Sequence, residues 1–210
     1  MNYDYSVQLL IIGDSSVGKT SILTRYSNGT FKEDYIATVG LDYYSKNEVL
    51  NNKTIHIKIW DTAGQERYKA LTQGFFRNAQ GVMIVYDVTN TESFDNLKYW
   101  ISSIQKNIES NKISIPVILL GNKIDVGDER EIKNEDAEKF AEENKYKYFE
   151  TSAKTGEGID DAVRELVNQV LNNLDKGNNI IGSRKERESV MLNNNDNKGG
   201  DKEGKKKGCC

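Results

Sequence analysis

Cysteine is almost missing from this sequence: the only two, Cys209 and Cys210, are the last of its 210 residues. They offer neither a disulfide framework nor a Cys/His metal cluster, since the chain also has a single histidine, His56. His56 lies among the alternating Ile55, Ile57 and Ile59, a half-buried strand pattern, and is expected to face outward without a chemical role. Long apolar runs are lacking too. None approaches the ~18 residues of a membrane span, and nothing after Met1 reads as a signal peptide. No excess of positive charge exists either: the formal net charge is −3 and the basic residues are dispersed except near the end. That distribution leaves no electrostatic footprint for nucleic acid. No internal repeat is visible. With 37% hydrophobic and 29% charged residues, the composition is that of one globular domain of ordinary size with an addition.

Against these absences stands one complete motif. Gly13-Asp14-Ser15-Ser16-Val17-Gly18-Lys19-Thr20 follows directly on the apolar run Val7 to Ile12. A strand delivers the chain to Gly13, the turn curls its backbone N–H groups into one concavity, and a helix starting near Lys19 aims its positive dipole end at the same spot. Ser15, Ser16, Val17, Gly18, Lys19, Thr20 and Ser21 are therefore expected to cradle a nucleotide's phosphates. In such a loop the glycines permit close backbone approach, Lys19 reaches the β- and γ-phosphates, and the Thr20 hydroxyl can ligate Mg²⁺.

Along the chain, strand-length apolar runs alternate with helical periodicity, which predicts an α/β fold: a six-stranded, mostly parallel sheet with one antiparallel edge strand and helices on both faces. The strands are expected at Val7 to Ile12, Leu41 to Leu50, Thr54 to Trp60, Gly81 to Val88, Ile115 to Gly121 and Tyr148 to Thr151. The second and third form a hairpin around Asn51-Asn52. The fourth and fifth are continuously apolar, as buried central strands should be. Helices are expected from about Lys19 to Ser27, along the stripe Phe94, Leu97, Ile101, Ile104 and Ile108, around Asp136 to Glu143, and from Ile159 to Leu174. The packed domain thus spans 1–174. Beyond it, 175–210 holds nine Lys and Arg against six Asp and Glu with only scattered apolar residues, too few to fold alone. It reads as a flexible tether.

A phosphate loop alone leaves kinases, ATPases and GTPases open. Three further stretches narrow the choice. Asp61-Thr62-Ala63-Gly64-Gln65-Glu66 ends the third strand, where Asp61 can hold Mg²⁺ directly or through water. There the Gly64 N–H can approach the γ-phosphate and Gln65 can orient an attacking water. Asn122-Lys123-Ile124-Asp125 and Ser152-Ala153-Lys154 each follow the carboxyl end of a strand, where an open α/β sheet places its ligand. The Asp125 carboxylate can accept both N1–H and the exocyclic amine of guanine, a pair adenine cannot offer, while a backbone N–H near Ala153 can donate to guanine O6. A metabolic phosphate-loop kinase would have no use for these two base-reading stretches. A permanently GTP-bound adaptor would be expected to lack Thr20, Thr38 or Gln65, and all three are present.

Together these motifs resemble those of the small Ras-like GTPases, and the chain is similar to the Rab branch over nearly its whole length. Thr38-Val39-Gly40-Leu41-Asp42-Tyr43 resembles the first switch of Rabs, the segment their effectors read. Trp60, Glu66 to Thr72, Phe75 to Ala79 and Ile84 to Thr89 resemble Rab stretches around the second switch. The resemblance implies that Thr38 joins Thr20 and Asp61 on Mg²⁺, that Phe31 packs on the guanine and that Tyr35 covers the phosphates. It also implies a switch in which GTP holds the regions near Tyr35 to Leu41 and Gly64 to Thr72, and hydrolysis releases them. Gln65 and Lys19 would carry catalysis. No arginine is placed to serve as a finger in cis, so an activating protein should supply that charge; Rab-activating proteins bring a glutamine as well. The other implied partners are effectors, an exchange factor and prenyl-chaperone proteins, with no nucleic acid, and the core domain is expected to be monomeric. Cys209 and Cys210 resemble the geranylgeranylated Rab ending, unlike the Cys-a-a-X of other branches. Two lipids, helped by Lys205, Lys206 and Lys207, would anchor the protein to the cytoplasmic face of a cell or organelle membrane, with cycling through the cytosol.

Overall fold

Tyr5–Gly13 forms the strand (β1) on which the domain is built, because its inner residues Leu9, Leu10, Ile11 and Ile12 are apolar toward both faces of the sheet and fully buried. The computed structural model describes residues 3–33, 41–62, 76, 78–111 and 115–175, with only the backbone given at 41 and 107–111. After β1 come α1 (Lys19–Asn28), β2 (Leu41–Leu50), β3 (Lys53–Thr62) and β4 (Gly81–Asp87). They are followed by α2 (Thr91–Asp95), α3 (Leu97–Asn111), β5 (Val117–Asn122), α4 (Asn134–Glu143), β6 (Lys147–Thr151) and α5 (Ile159–Asp175). The sheet order is β2-β3-β1-β4-β5-β6, with β2 antiparallel to β3 and every other pair parallel. The predicted α/β architecture is the one observed. From β1 the chain first builds outward on the β3 side and then returns to build on the β4 side, so a crevice opens at the carboxyl end of β1.

The core lies in two layers, one on each face. On one, Val7, Leu9 and Ile11 pack with Ile22 and Leu23 of α1 and with Ile159, Val163, Leu166 and Val170 of α5. On the other, Leu10, Ile12, Ile84 and Tyr86 pack with Leu97, Trp100, Ile101 and Ile104 of α3 and Ala137 and Ala141 of α4. Each such Leu or Ile removed from water contributes about 1.5–3 kcal/mol before entropy is counted. Every residue of β4 and β5 is buried, while β3 alternates as its isoleucines require. His56 faces outward as expected, stacked on Tyr3 with ring centroids 5.1 Å apart and its Nδ1 2.7 Å from Asn47 Oδ1.

Observed bounds depart from expectation by a few residues, and one element differs in kind. The stripe from Phe94 to Ile108 is interrupted: a short helix ends at Asp95 and a second begins at Leu97. Asn90 caps the first by accepting from Ser93 N at 2.9 Å, and the Asn96 carbonyl starts the second by accepting from Tyr99 N (3.0 Å) and Trp100 N (3.2 Å). A 3.6-residue apolar period survives such a break, so the sequence pattern concealed it. Ile108 lies outside the described side chains. The hairpin turn is as predicted, with Asn51 (φ 51°) and Asn52 (φ 61°) both left-handed, the backbone a two-residue turn demands.

Candidate nucleotide-binding site

At the carboxyl end of β1 the loop from Gly13 to Thr20 is held by backbone that only glycine fits. Gly13 has φ +143°, and a Cβ there would lie 2.2 Å from the Val85 carbonyl oxygen. Gly18 has φ +97°, and its Cβ would lie 2.3 Å from Asn122 Nδ2. Gly18 is also the N-cap of α1, supplying no side-chain cap, and the first turn of that helix has no acidic residue. A first turn with no acidic side chain and no side-chain cap of its own leaves its N–H groups and dipole available to a phosphate. Ser15 and Ser16 are exposed on the loop, Ser21 is half-buried in α1, and Val17 anchors the loop in the core at 1% exposure.

Lys19 is 5% exposed, and its ammonium donates to the carbonyls of Gly13 (2.9 Å) and Asp14 (2.6 Å). Burial pulls its pKa from 10.5 down to about 8, against the opposing pull of the Asp61 and Asp14 carboxylates. Two neutral acceptors only partly replace lost water, so this cation favours an added anion.

The Asp61 carboxylate, 1% exposed at the end of β3, accepts from the Thr20 hydroxyl through Oδ2 at 2.6 Å. Its Oδ1 is buried with no hydrogen-bond partner among the described residues. Desolvation raises its pKa, and the Thr20 hydrogen bond and Lys19 charge offset this only in part. A buried carboxylate with an unused oxygen beside a hydroxyl is a donor set that suits Mg²⁺, a hard cation that takes oxygen ligands and keeps several positions for water and phosphate. No group of three or more His, Cys, Asp or Glu that could hold a metal exists among the described residues, so substrate oxygens would complete the shell.

The two stretches expected to read the base meet the Gly13–Thr20 loop through one side chain. Asn122, 1% exposed, donates from Nδ2 to the Val17 carbonyl (2.8 Å), while its Oδ1 accepts from Ala153 N and from Thr151 Oγ1, each at 3.3 Å. Lys123 adopts a left-handed backbone (φ 73°) and pairs with Asp87 at 2.5 Å. The exposed Asp125 carboxylate is held at Oδ1 by the buried Ser152 hydroxyl at 2.5 Å, and Ser152 Oγ in turn accepts from Thr155 N at 3.0 Å. Lys154 is exposed, with Glu33 3.8 Å away, and Phe31 packs half-buried against the core layer that contains α1. Thus the structure brings together Lys19, Thr20, Asp61, Asn122, Lys123, Asp125, Ser152, Ala153 and Lys154 from four places in the sequence. Tyr35, Thr38, Gly64, Gln65, Cys209 and Cys210 lie outside the described residues, as do most of both expected switch regions and Lys205 to Lys207.

Two supports escaped the sequence reading. Asp14 turns its carboxylate away from the loop's concavity: Oδ2 accepts from Asn96 Nδ2 and Oδ1 from the Trp100 indole N–H, both at 2.7 Å. A negative charge next to a phosphate site is thereby held by the start of α3. Arg25 of α1 donates to the carbonyls of Ala153 (2.9 Å), Gly29 (2.8 Å) and Lys154. Neither contact has a local spacing to betray it, since the partners lie 82 or more residues away in all but the Gly29 case.

The model of the Ras family matches residues 8–172. The chain is 41% identical to the Ras-related protein Rab-8B of Homo sapiens over 181 residues, 86% of each chain. It is equally similar, 41% over 184 residues, to the Ras-related protein Rab-8A of Bos taurus, covering 86% of this chain and 87% of that one. With the Ras-related protein Rab-13 of Rattus norvegicus the identity is 38% over 200 residues, 95% of this chain and 96% of the relative.

Proposed function

Because this chain belongs to the Ras family and is a Rab-type small GTPase of membrane trafficking, we propose how its own residues bind, read and hydrolyse the nucleotide. One observation carries the reading: Asn122 joins the phosphate loop, at the Val17 carbonyl, to the Ser152–Lys154 loop, at the Ala153 N–H. A ligand with phosphates at one end and a base at the other fits that span. Asp125 accepts from N1–H and the 2-amino group of guanine, Ser152 fixing the carboxylate for both bonds. The Ala153 N–H, only weakly engaged at 3.3 Å, donates to O6. Phe31 covers the base and Tyr35 the phosphates. Lys19 exchanges its two carbonyl partners for the β- and γ-phosphates, which compensate its buried charge better than neutral oxygens do.

Thr20 and Asp61, with Thr38, hold Mg²⁺, which when bound neutralises charge on the β- and γ-phosphate oxygens. Gln65 orients the attacking water, Gly64 offers its N–H to the γ-phosphate, and Lys19 stabilises charge as the bond between the γ-phosphorus and the β–γ bridging oxygen breaks, yielding GDP and phosphate. The three arginines among the described residues are each committed elsewhere: Arg25 to backbone carbonyls, Arg130 to Glu150 and Arg164 to Glu48. None of these three serves as a finger, and on this reading intrinsic hydrolysis is slow and an activating protein supplies that charge.

GTP and GDP set the partners. Tyr43, 50% exposed at the start of β2, packs its ring 5.3 Å from that of Trp60 with Lys58 Nζ 3.7 Å above it. This aromatic surface beside the first switch supports effector binding there. Exchange factors open the site, and prenyl-chaperone proteins carry the lipidated form through the cytosol. No helix among the described residues is long and apolar enough to cross a membrane. Attachment to the cytoplasmic face comes instead from geranylgeranyl groups on Cys209 and Cys210, with 175–210 as a tether reaching roughly 30–36 Å from a domain of residues 1–174. The reading is tested at Asp125. Asp125→Asn should weaken GTP binding by about 10³-fold or more and favour xanthosine triphosphate, whose 2-oxo group accepts from an amide. Unchanged GTP affinity with no gain for the xanthine nucleotide would refute it.

A further inference from the structure

Among the described residues the Arg25 guanidinium bonds to carbonyl oxygens and to no carboxylate, from Nε to Ala153, from Nη1 to Gly29 and from Nη2 to Lys154. Its stem runs beside Gly156, where an added Cβ would lie 3.5 Å from Arg25 Cδ. Gly29 closes α1, so that contact by itself is an ordinary C-terminal cap. The other two are different. They cross 128 and 129 residues of sequence to hold consecutive peptide groups of the loop that follows β6. Asn122 grips the opposite side of the same loop at the Ala153 N–H. Because each peptide unit is planar, fixing the Ala153 carbonyl also orients the Lys154 N–H, and fixing the Lys154 carbonyl orients the Thr155 N–H. The planar fork of arginine can span three separated acceptors, which an ammonium on a flexible stem cannot do in fixed geometry.

We propose that Arg25 is a positioning residue for base recognition, setting the peptide between Ala153 and Lys154 so that the Lys154 N–H joins the Ala153 N–H in donating to O6 of guanine. The inference rests on the guanine reading above and adds the group that aligns the 6-position contact. Asp125 reads the other edge through a carboxylate held directly by the Ser152 hydroxyl, not by Arg25. Loss of Arg25 therefore weakens nucleotide binding through O6 alone, and the charge of the side chain matters less than its shape.

The test uses the full chain and compares release of GDP with release of 6-thio-GDP, whose sulfur is a poor acceptor while N1–H and the 2-amino group remain. In the parent, 6-thio-GDP should leave about tenfold faster than GDP, the size of one such hydrogen bond. Arg25→Met, which keeps the apolar stem, should release GDP about tenfold faster than the parent yet change 6-thio-GDP release by less than about twofold. Arg25→Lys, which keeps a cation at the end of α1, should behave like Arg25→Met and carries the test should the methionine variant not fold. Equal acceleration of both nucleotides would overturn the proposal, leaving Arg25 a general support of the loop. Parental behaviour in Arg25→Lys would also overturn it, because charge alone would then suffice. A parent that fails to discriminate GDP from ADP would instead sink the guanine reading itself, and this inference with it.

Discussion

Raising the pH from 7 to 8.5 should weaken guanine nucleotide binding through Lys19. In the nucleotide-free protein burial brings the pKa of this lysine down to about 8, and among the described residues its ammonium donates to two carbonyls. Phosphates placed on it favour the charged form, so its pKa rises on binding and the bound complex keeps the proton throughout this range. At pH 7 about nine tenths of the free protein already carries that proton; at pH 8.5 only about one quarter does. Affinity should therefore fall roughly fourfold, about 0.8 kcal/mol, and binding should take up about 0.75 proton at pH 8.5 against about 0.1 at pH 7. The stability of the nucleotide-free protein moves the other way. Unfolded Lys19 titrates near 10.5, so above about pH 8 the unfolded chain binds more protons than the folded one and stability rises with pH. Calorimetric titration of GDP in buffers of different ionisation enthalpy reads proton uptake directly. Lys19→Arg, which stays charged, should bind with no such uptake. Less than about 0.2 proton taken up at pH 8.5, with affinity unchanged from pH 7, would refute the assignment of Lys19 to the phosphates.

Glu48→Ala should cost about 2–3 kcal/mol of stability, since this 8% exposed carboxylate accepts from Tyr26 Oη (3.1 Å), Arg164 Nε (3.3 Å) and Lys46 Nζ (3.1 Å), joining β2 to α1 and α5. Thermal unfolding should drop by roughly 5–10 °C, while a shift within 1–2 °C would show the cluster to be incidental. Gln65→Leu should lower single-turnover GTP hydrolysis strongly while an activating protein that brings its own glutamine restores part of the stimulated rate; undiminished intrinsic turnover would remove the water-orienting role. Replacing Cys209 and Cys210 by Ser should leave GTP binding intact and move the protein from membrane to cytosol on fractionation, and persistent membrane association of the folded double variant would contradict the lipid anchor.

Much of this protein was legible locally. Gly13 to Thr20 declares itself because each residue type answers a short-range demand: glycine where a Cβ would strike Val85 or Asn122, and Lys19 and Thr20 at a helix start. The continuous apolar runs of β4 and β5 and the alternation of β3 likewise follow from which faces are covered, a property of neighbouring residues. Asp61, Asn122, Asp125 and Ser152 could be found because strand ends in such a sheet converge, although their mutual contacts could not. Only the folded chain decided those contacts. The break at Asn96 is invisible to periodicity because the apolar period runs through it, and its use is seen only when Asp14, just past the end of β1, is placed against Asn96. Arg25 reads as one more basic residue on an amphipathic helix until the loop after β6 places two carbonyls against it. The burial that brings Lys19 to about 8 is also tertiary, since desolvation depends on every chain segment packed around the charge and none of that is written beside it in sequence.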